Sequence, residues 1–190
     1  QKGPQLDADG TPTVTGQVAL SALITEDGAR IEQGLTWRVY AARGNSPDGT
    51  PQLVATYSDA NPNARLIPGE YYVNVAFGRA NLTKKINIVA NAQGNEVFPL
   101  NVGLLKVSAI LNGRPLAAGG GQTFDVFSDE RDQFGQRTKI VSAARPGMLI
   151  RLNSGLYQIV SQFGDANSTV QADLTVEPGK LTDATVVHQA

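Results

Sequence analysis

The residue types that most often carry catalysis or hold a metal are scarce in this chain. Cysteine is absent and His188 is the single histidine, so a zinc site built from Cys and His lacks its ligands. A Ser-His-Asp triad would have to use His188. That residue ends the alternating segment 184–188, and we expect it to be an exposed strand residue. We therefore predict no catalytic residues, no metal and no cofactor, and we expect the chain not to be an enzyme.

Asp7 and Asp9, followed by Gly10, have the spacing that begins a calcium-binding loop. A complete loop of the EF-hand kind requires a bidentate glutamate at its twelfth position. Counted from Asp7, that position is Val18, whose side chain has no oxygen. We therefore interpret residues 1–15 as a flexible polar leader.

A charged run in the second half of the chain is the best candidate for a contact surface. Its members are Asp129, Glu130, Arg131 and Asp132. Phe134 follows closely, and we expect the whole run to lie in a loop. The corresponding earlier segment, 42–49, consists mainly of turn-forming residues. The simpler interpretation is a solvated loop. Because a feature present in only one of two related segments is not required by the fold, this loop is also our first candidate for a contact surface.

Two similar segments, 78–81 and 164–167, share the pattern Gly-x-Ala-Asn. We interpret both as hairpin turns whose Asn bonds its own backbone. A twinned recognition loop is the other interpretation. Arg79 and Asp165 place opposite charges at the same position of the pattern, so they are candidate contact residues.

Tyr57 and Tyr72 could stack on sugar rings if their side chains face solvent. Tyr72 is out of phase with Tyr71 and Val73, which indicates the outer face of a strand. An edge contact or a contact between modules explains the same two tyrosines equally well.

Composition excludes several partners. The net charge is −1 and the only adjacent basic pair is Lys84 and Lys85, so we predict no nucleic-acid binding. No segment approaches the roughly 18 apolar residues of a membrane span. The chain begins at Gln1, so a signal peptide or membrane anchor would lie outside it.

The elements that must position these residues form an internal repeat. Segment 66–81 matches segment 152–167 at Leu, Gly, Tyr, Phe, Gly, Ala and Asn, and segment 34–40 aligns with 121–127. Alternation predicts seven short strands in each copy. Their expected ranges are 16–24, 35–41, 52–57, 63–67, 70–77, 82–89 and 95–101, then 104–111, 122–128, 137–142, 148–152, 156–163, 168–176 and 181–188.

These strands predict an all-β chain of two tandem seven-stranded Greek-key β-sandwiches, either transthyretin-like or Ig-like. We expect a leader over 1–15, a first module over 16–102 and a second over 103–190. Edge strands of such modules can pair between chains, and periodicity gives no oligomeric state.

The pattern Leu66-x-Pro68-Gly69-x-Tyr71, followed by Phe77-Gly78, resembles transthyretin-like modules, including carboxypeptidase regulatory-like and Cna-B-type domains. Both copies are also similar to uncharacterised exported proteins of alphaproteobacteria. Cna-B-type modules often carry an internal Lys–Asn bond assisted by a Glu. Val75 and Ser161 stand at the corresponding positions, so we expect no such bond here.

The resemblance implies a bacterial stalk, spacer or adhesion role. We expect a non-enzymatic structural or protein-interaction module of the cell envelope, exported and periplasmic or envelope-bound. Its partner would be an envelope protein or a cell-wall polymer. The alternatives are a carbohydrate- or peptidoglycan-binding module and an accessory domain of a larger enzyme.

Overall fold

The computed structural model describes residues 14–43, 47–115, 121–163 and 168–189, and within these ranges the chain forms strands and no helix. The strands are β1 (Gly16–Leu23), β2 (Leu35–Ala41), β3 (Gln52–Tyr57), β4 (Asn63–Leu66), β5 (Gly69–Phe77), β6 (Ala80–Ile88), β7 (Gln93–Pro99), β8 (Val102–Leu111), β9 (Arg114–Pro115), β10 (Gln122–Arg131), β11 (Arg137–Ala144), β12 (Leu149–Asn153), β13 (Gly155–Phe163), β14 (Ser168–Val176) and β15 (Leu181–His188). The predicted all-β fold is confirmed.

The chain divides into two compact units. The first runs to Leu100 and the second begins at Asn101, with Gly78–Ala80 grouped with the second. No described helix is long and apolar enough to cross a membrane.

The first unit is a sandwich of two sheets. One sheet has the strand order β4-β1-β7 and the other has β3-β2-β5-β6. Alternation decides which side chains are buried: Leu35, Trp37 and Val39 of β2 point inward and are almost inaccessible to solvent. Trp37 meets Phe98 of β7 edge-on, with ring centroids 5.2 Å apart. This aromatic contact joins the two sheets across the core.

The second unit repeats this topology. Its sheets have the orders β12-β8-β15 and β11-β10-β13-β14, and the short β9 pairs with β8. The first and last strands pair in parallel in both units, β1 with β7 and β8 with β15. One continuous hydrophobic core, which includes Leu105, Phe124 and Ile159, lies between the two sheets.

The pairing registers match residue by residue. In the first unit Leu35 pairs with Phe77 and Trp37 with Val75, while in the second Gln122 pairs with Phe163 and Phe124 with Ser161. Across the parallel pairs, Ala22 lies opposite Phe98 and Ala109 opposite Val186. Positions in the two units can therefore be compared directly.

A tyrosine at the start of a central strand fixes the same corner in each unit. The Tyr71 hydroxyl donates to the Ile67 carbonyl at 2.5 Å, and the Tyr157 hydroxyl donates to the Asn153 carbonyl at 2.6 Å. Burial raises the pKa of both phenols, with Glu130 adding to the effect at Tyr157. Each hydroxyl thus satisfies a backbone carbonyl four residues upstream, as in the tyrosine corner of Ig-like sandwiches.

Most strand ends lie within two residues of the predicted ones, and two differences are larger. Strand β10 continues to Arg131, three residues beyond the predicted end, because it pairs with Arg137 at the start of β11. Strand β9 was not predicted; it folds back on β8 after the turn at Asn112 and Gly113, both of which have positive φ.

Candidate functional site

The hairpin between β10 and β11 is held rigid by its own polar groups. The Asp132 carboxylate accepts hydrogen bonds from the backbone N–H groups of Phe134 and Gln136, both at 2.9 Å. The Arg131 guanidinium donates to the Gly135 carbonyl at 2.8 Å. Gly135 has a φ of 77°, a conformation that glycine adopts without strain. The turn is therefore organised before any partner arrives.

Phe134 stands at the tip of this hairpin and is 78% exposed, more than any other large hydrophobic side chain in the described residues. Removing an aromatic ring from water at a protein interface is favourable, and the ring loses little side-chain entropy on binding. A rigid turn with one exposed ring has the form of an interface anchor.

The charged groups of Asp129, Arg131 and Asp132 form contacts within the hairpin. We predicted the whole run in a loop, and this is wrong for Asp129, Glu130 and Arg131, which belong to β10. Asp129 pairs with Arg137 across the hairpin at 3.4 Å, and the Glu130 N–H donates to the Ser128 hydroxyl at 3.1 Å. The side chains of Asp129, Arg131 and Asp132 thus stabilise the hairpin, and Phe134 is its exposed apolar contact group.

The other predicted contact residues lie elsewhere. Arg79 is exposed in the turn between β5 and β6, next to Gly78, whose φ is 62°. Asp165 lies outside the described residues. The Asn81 side-chain oxygen (Oδ1) accepts a hydrogen bond from the Asn74 side-chain amide at 3.3 Å, so Asn81 lies on the outer face of the sheet.

Tyr57 and Tyr72 lie on opposite faces of the sheet β3-β2-β5-β6. Tyr57 pairs with the buried Trp37 on the inner face, and its burial raises the pKa of its phenol. Tyr72 pairs with Tyr40, which points outward with the other even-numbered residues of β2. Lys85 Nζ lies 5.9 Å from the centre of the Tyr72 ring. The outer face thus carries a pair of adjacent tyrosines, of which sequence reasoning identified only Tyr72.

The most unusual polar cluster is buried in the second unit. His188 is completely inaccessible to solvent, and Gln122 and Ser161 are nearly so. His188 Nε2 lies 2.9 Å from Gln122 Nε2 and 2.9 Å from Ser161 Oγ, and Gln122 Nε2 also donates to Ser161 Oγ. We call these three residues the polar trio. It connects β10 and β13 in one sheet with β15 in the other.

Our expectation that His188 is exposed is therefore wrong. Along β15 the odd-numbered residues face solvent, while Val186 and His188 share the inner face. The alternation of the strand contained this information, because His188 has the same parity as Ala184 and Val186. The position of His188 in the alternating pattern, and not its polar side chain, determines its burial.

Apolar residues occupy the same three positions in the first unit. By the matched registers, Gln122 corresponds to Leu35 and Ser161 to Val75. His188 lies two residues beyond Val186, the counterpart of Phe98, and so corresponds to Leu100. Leu35, Val75 and Leu100 are all buried. The fold therefore accepts an apolar core here, and the polar trio is particular to the second unit.

Burial lowers the pKa of the His188 imidazole below its ordinary value, because desolvation penalises the charged form. The neutral ring also suits its neighbour: the Gln122 amide nitrogen is a donor, so Nε2 acts as the acceptor. Protonation of His188 would make its Nε2 a donor that faces the donor amide nitrogen of Gln122. The side-chain oxygen of Gln122 (Oε1), moreover, is buried without a hydrogen-bond partner in the described residues.

The polar trio has the elements of a hydroxyl–imidazole pair but a closed environment. Each side chain is buried in the core, so a substrate cannot reach the Ser161 hydroxyl without opening the sandwich. In the described residues, no group of three or more His, Cys, Asp or Glu side chains is arranged to hold a metal ion. The hairpin that ends in Phe134, by contrast, is accessible to solvent.

Neither the models of known protein families nor the curated proteins give a match to this chain. Solved structures with a related arrangement include a streptococcal ancillary pilin, at 14% identity and a TM-score of 0.47, with 95% of this chain and 63% of the pilin covered. The minor pilin GBS52 of Streptococcus agalactiae has 13% identity and a TM-score of 0.45, covering 92% of this chain and 95% of the pilin. A putative adhesin of Bacteroides thetaiotaomicron has 11% identity and a TM-score of 0.36, covering 88% and 72%.

Proposed function

We propose that this chain is a non-enzymatic structural and protein-interaction module, and that the hairpin ending in Phe134 is its main contact. The observation that carries the proposal is the 78% exposure of Phe134 on a turn already fixed by Asp132 and Arg131. A rigid turn avoids the entropic cost of ordering on binding. A single aromatic anchor of this kind fits an apolar pocket in a partner protein.

The module organisation and the cellular location of the chain are also part of what we propose. We infer two tandem modules, over 16–102 and 103–190, that act as a spacer or scaffold in the bacterial cell envelope. The matched registers of the two units support a duplicated module. The resemblance of the Leu66–Gly78 pattern to exported modules supports an exported, periplasmic or envelope location. The expected partner is an envelope protein, with a cell-wall polymer as the alternative.

Site-specific photocrosslinking in the native cells tests this proposal. A benzophenone side chain at Gln133 leaves Phe134 intact beside it, and we expect one discrete protein adduct, identified by mass spectrometry. Phe134→Ala in the same protein should reduce that adduct at least about tenfold, since truncating a hot-spot residue costs about 2 kcal/mol or more.

A benzophenone at Leu156, which is exposed on β13, provides the matched control and should give no such adduct. An absence of any discrete adduct at Gln133, or one that Phe134→Ala leaves unchanged, would show that the hairpin is not the contact.

The outer face of the first unit favours carbohydrate binding as a second function. Tyr40 and Tyr72 are paired neighbours there, and Asn74 donates to Thr83 at 2.9 Å beside them. Adjacent aromatic rings with amide groups nearby can stack on sugars and bond their hydroxyls. We expect Tyr72→Ala to weaken binding to purified peptidoglycan at least about fivefold, as loss of about 1 kcal/mol of stacking implies.

The control for this measurement is Tyr57→Ala, since Tyr57 lies on the opposite face of the same sheet. Equal pelleting of the wild type and Tyr72→Ala with the insoluble polymer would exclude this face as the site.

A further inference from the structure

One edge of the first unit lacks the charges that the other edges carry. Each of the four sheets ends in two edge strands. Seven of these eight edges contain at least one charged residue, namely Arg65 in β4, Lys84 and Lys85 in β6, Glu96 in β7, Arg137 and Lys139 in β11, Arg151 in β12, Asp173 in β14 and Asp183 in β15. Strand β3 contains none. Charged side chains on an edge discourage pairing with other strands.

Strand β3 also exposes apolar side chains. Leu53 is 50% and Val54 is 47% exposed. Val54, Thr56 and Tyr57 are residue types that favour strands. Within the described residues β3 pairs only with β2, so its outer backbone groups face away from the sheet. Such an edge is a template for one more strand.

The equivalent strand of the second unit shows how the same fold protects this edge. Leu53 lies opposite Tyr40, and Lys139 lies opposite Phe127 at the corresponding place. Lys139 pairs with Asp125 at 3.5 Å. The pairing of β11 with β10 shifts register three times, whereas that of β3 with β2 shifts once. Three register shifts and charged side chains thus disfavour pairing at the β11 edge, whereas β3 has one register shift and no charged residue.

We infer that the edge of β3 pairs with β3 of a second copy of this chain, in an antiparallel, two-fold symmetric contact. Pairing about the middle of the strand places Leu53 opposite Thr56 and Val54 opposite Ala55, and no like charges meet. The net charge of −1 adds little repulsion between copies. A two-fold contact also closes on itself, so the sheet gains one partner and does not grow further.

A six-residue strand buries less surface than a standard interface, so the dimer should be weak and depend on concentration. Sedimentation velocity from about 10 µM to about 1 mM covers the range in which such contacts form. We expect the weight-average mass of the wild type to rise toward twice the monomer mass. Leu53→Lys, which copies the residue of the second unit, should remain a monomer throughout.

Val97→Lys is the matched control, because Val97 is 43% exposed on β7, an edge of the other sheet, and this variant should still dimerise. If Leu53→Lys does not fold, Val54→Lys gives the same test, since Val54 is 47% exposed on the same strand. A wild type that stays monomeric, or a dimer that survives the β3 substitutions, overturns the inference. Phe134 lies outside this edge, so the contact proposed for the hairpin is tested independently.

Discussion

His188→Leu is expected to lower the free energy of unfolding of the second unit by about 2–4 kcal/mol. The imidazole accepts from Gln122 and contacts Ser161 at 2.9 Å in a core that excludes water. Leucine has a similar volume but no hydrogen-bonding group. The substitution therefore leaves the Gln122 amide with fewer partners and withdraws one from Ser161, while each remains buried.

The triple variant Gln122→Leu, Ser161→Val and His188→Leu is expected to recover this loss and to equal or exceed the wild type. It copies Leu35, Val75 and Leu100 of the first unit, where the same topology packs without polar groups. Replacing all members of a buried polar cluster with apolar residues is often neutral or stabilising, whereas removing one member is not.

Hydrogen exchange of peptides from β10 and β13 in urea measures the second unit directly. Trp37 is the only tryptophan, and it lies in the first unit, so its fluorescence should report the same urea midpoint in all variants. A triple variant less stable than the wild type would mean that the polar trio stabilises this core, contrary to our expectation.

The second large effect is a loss of stability in acid that depends on His188. The folded-state pKa of its imidazole is lowered by burial, so between that value and the unfolded pKa of about 6.5 the unfolded chain binds more protons. The contribution of His188 is complete above about pH 6.5 and declines as the pH falls toward the folded pKa. Because one proton is involved, the free energy of unfolding changes by at most about 1.4 kcal/mol per pH unit from this effect.

Comparison with the triple variant isolates this effect, because both proteins share every carboxylate. Urea denaturation at about pH 7.5, 6.5, 5.5 and 5.0 should show the wild type losing stability faster than the variant below about pH 6.5. Parallel stability curves over this range would show that His188 does not bind its proton preferentially in the unfolded state.

Much of the fold could be predicted from the sequence because one signal dominates it. Alternating side chains and turn residues located the strands to within a few residues, since half-buried strands require that pattern. Strand β9 was missed because two residues cannot alternate. The end of β10 was missed because Asp129, Glu130 and Arg131 look like loop residues, and their pairing with β11 depends on the partner strand.

The polar trio could not be predicted, because its members lie far apart in the sequence. Gln122 and His188 are separated by 66 positions, and Ser161 and His188 by 27. Periodicity indicates which face of a strand each residue occupies. The contact among these three residues depends on how the two sheets pack, which periodicity does not show. The internal repeat contained one clue: Gln122 and Ser161 replace Leu35 and Val75. Two polar replacements at inward positions of neighbouring strands indicate a shared buried partner.

The parallel pairing of first and last strands has a mechanical consequence. In each unit the chain enters through one of these strands and leaves through the other, with seven residue pairs between β1 and β7 and eight between β8 and β15. Because the strands are parallel, the entry and exit points lie at opposite ends of the pair. Tension between the two ends therefore pulls the strands along each other in shear, so all their hydrogen bonds share the load and cannot be opened one at a time.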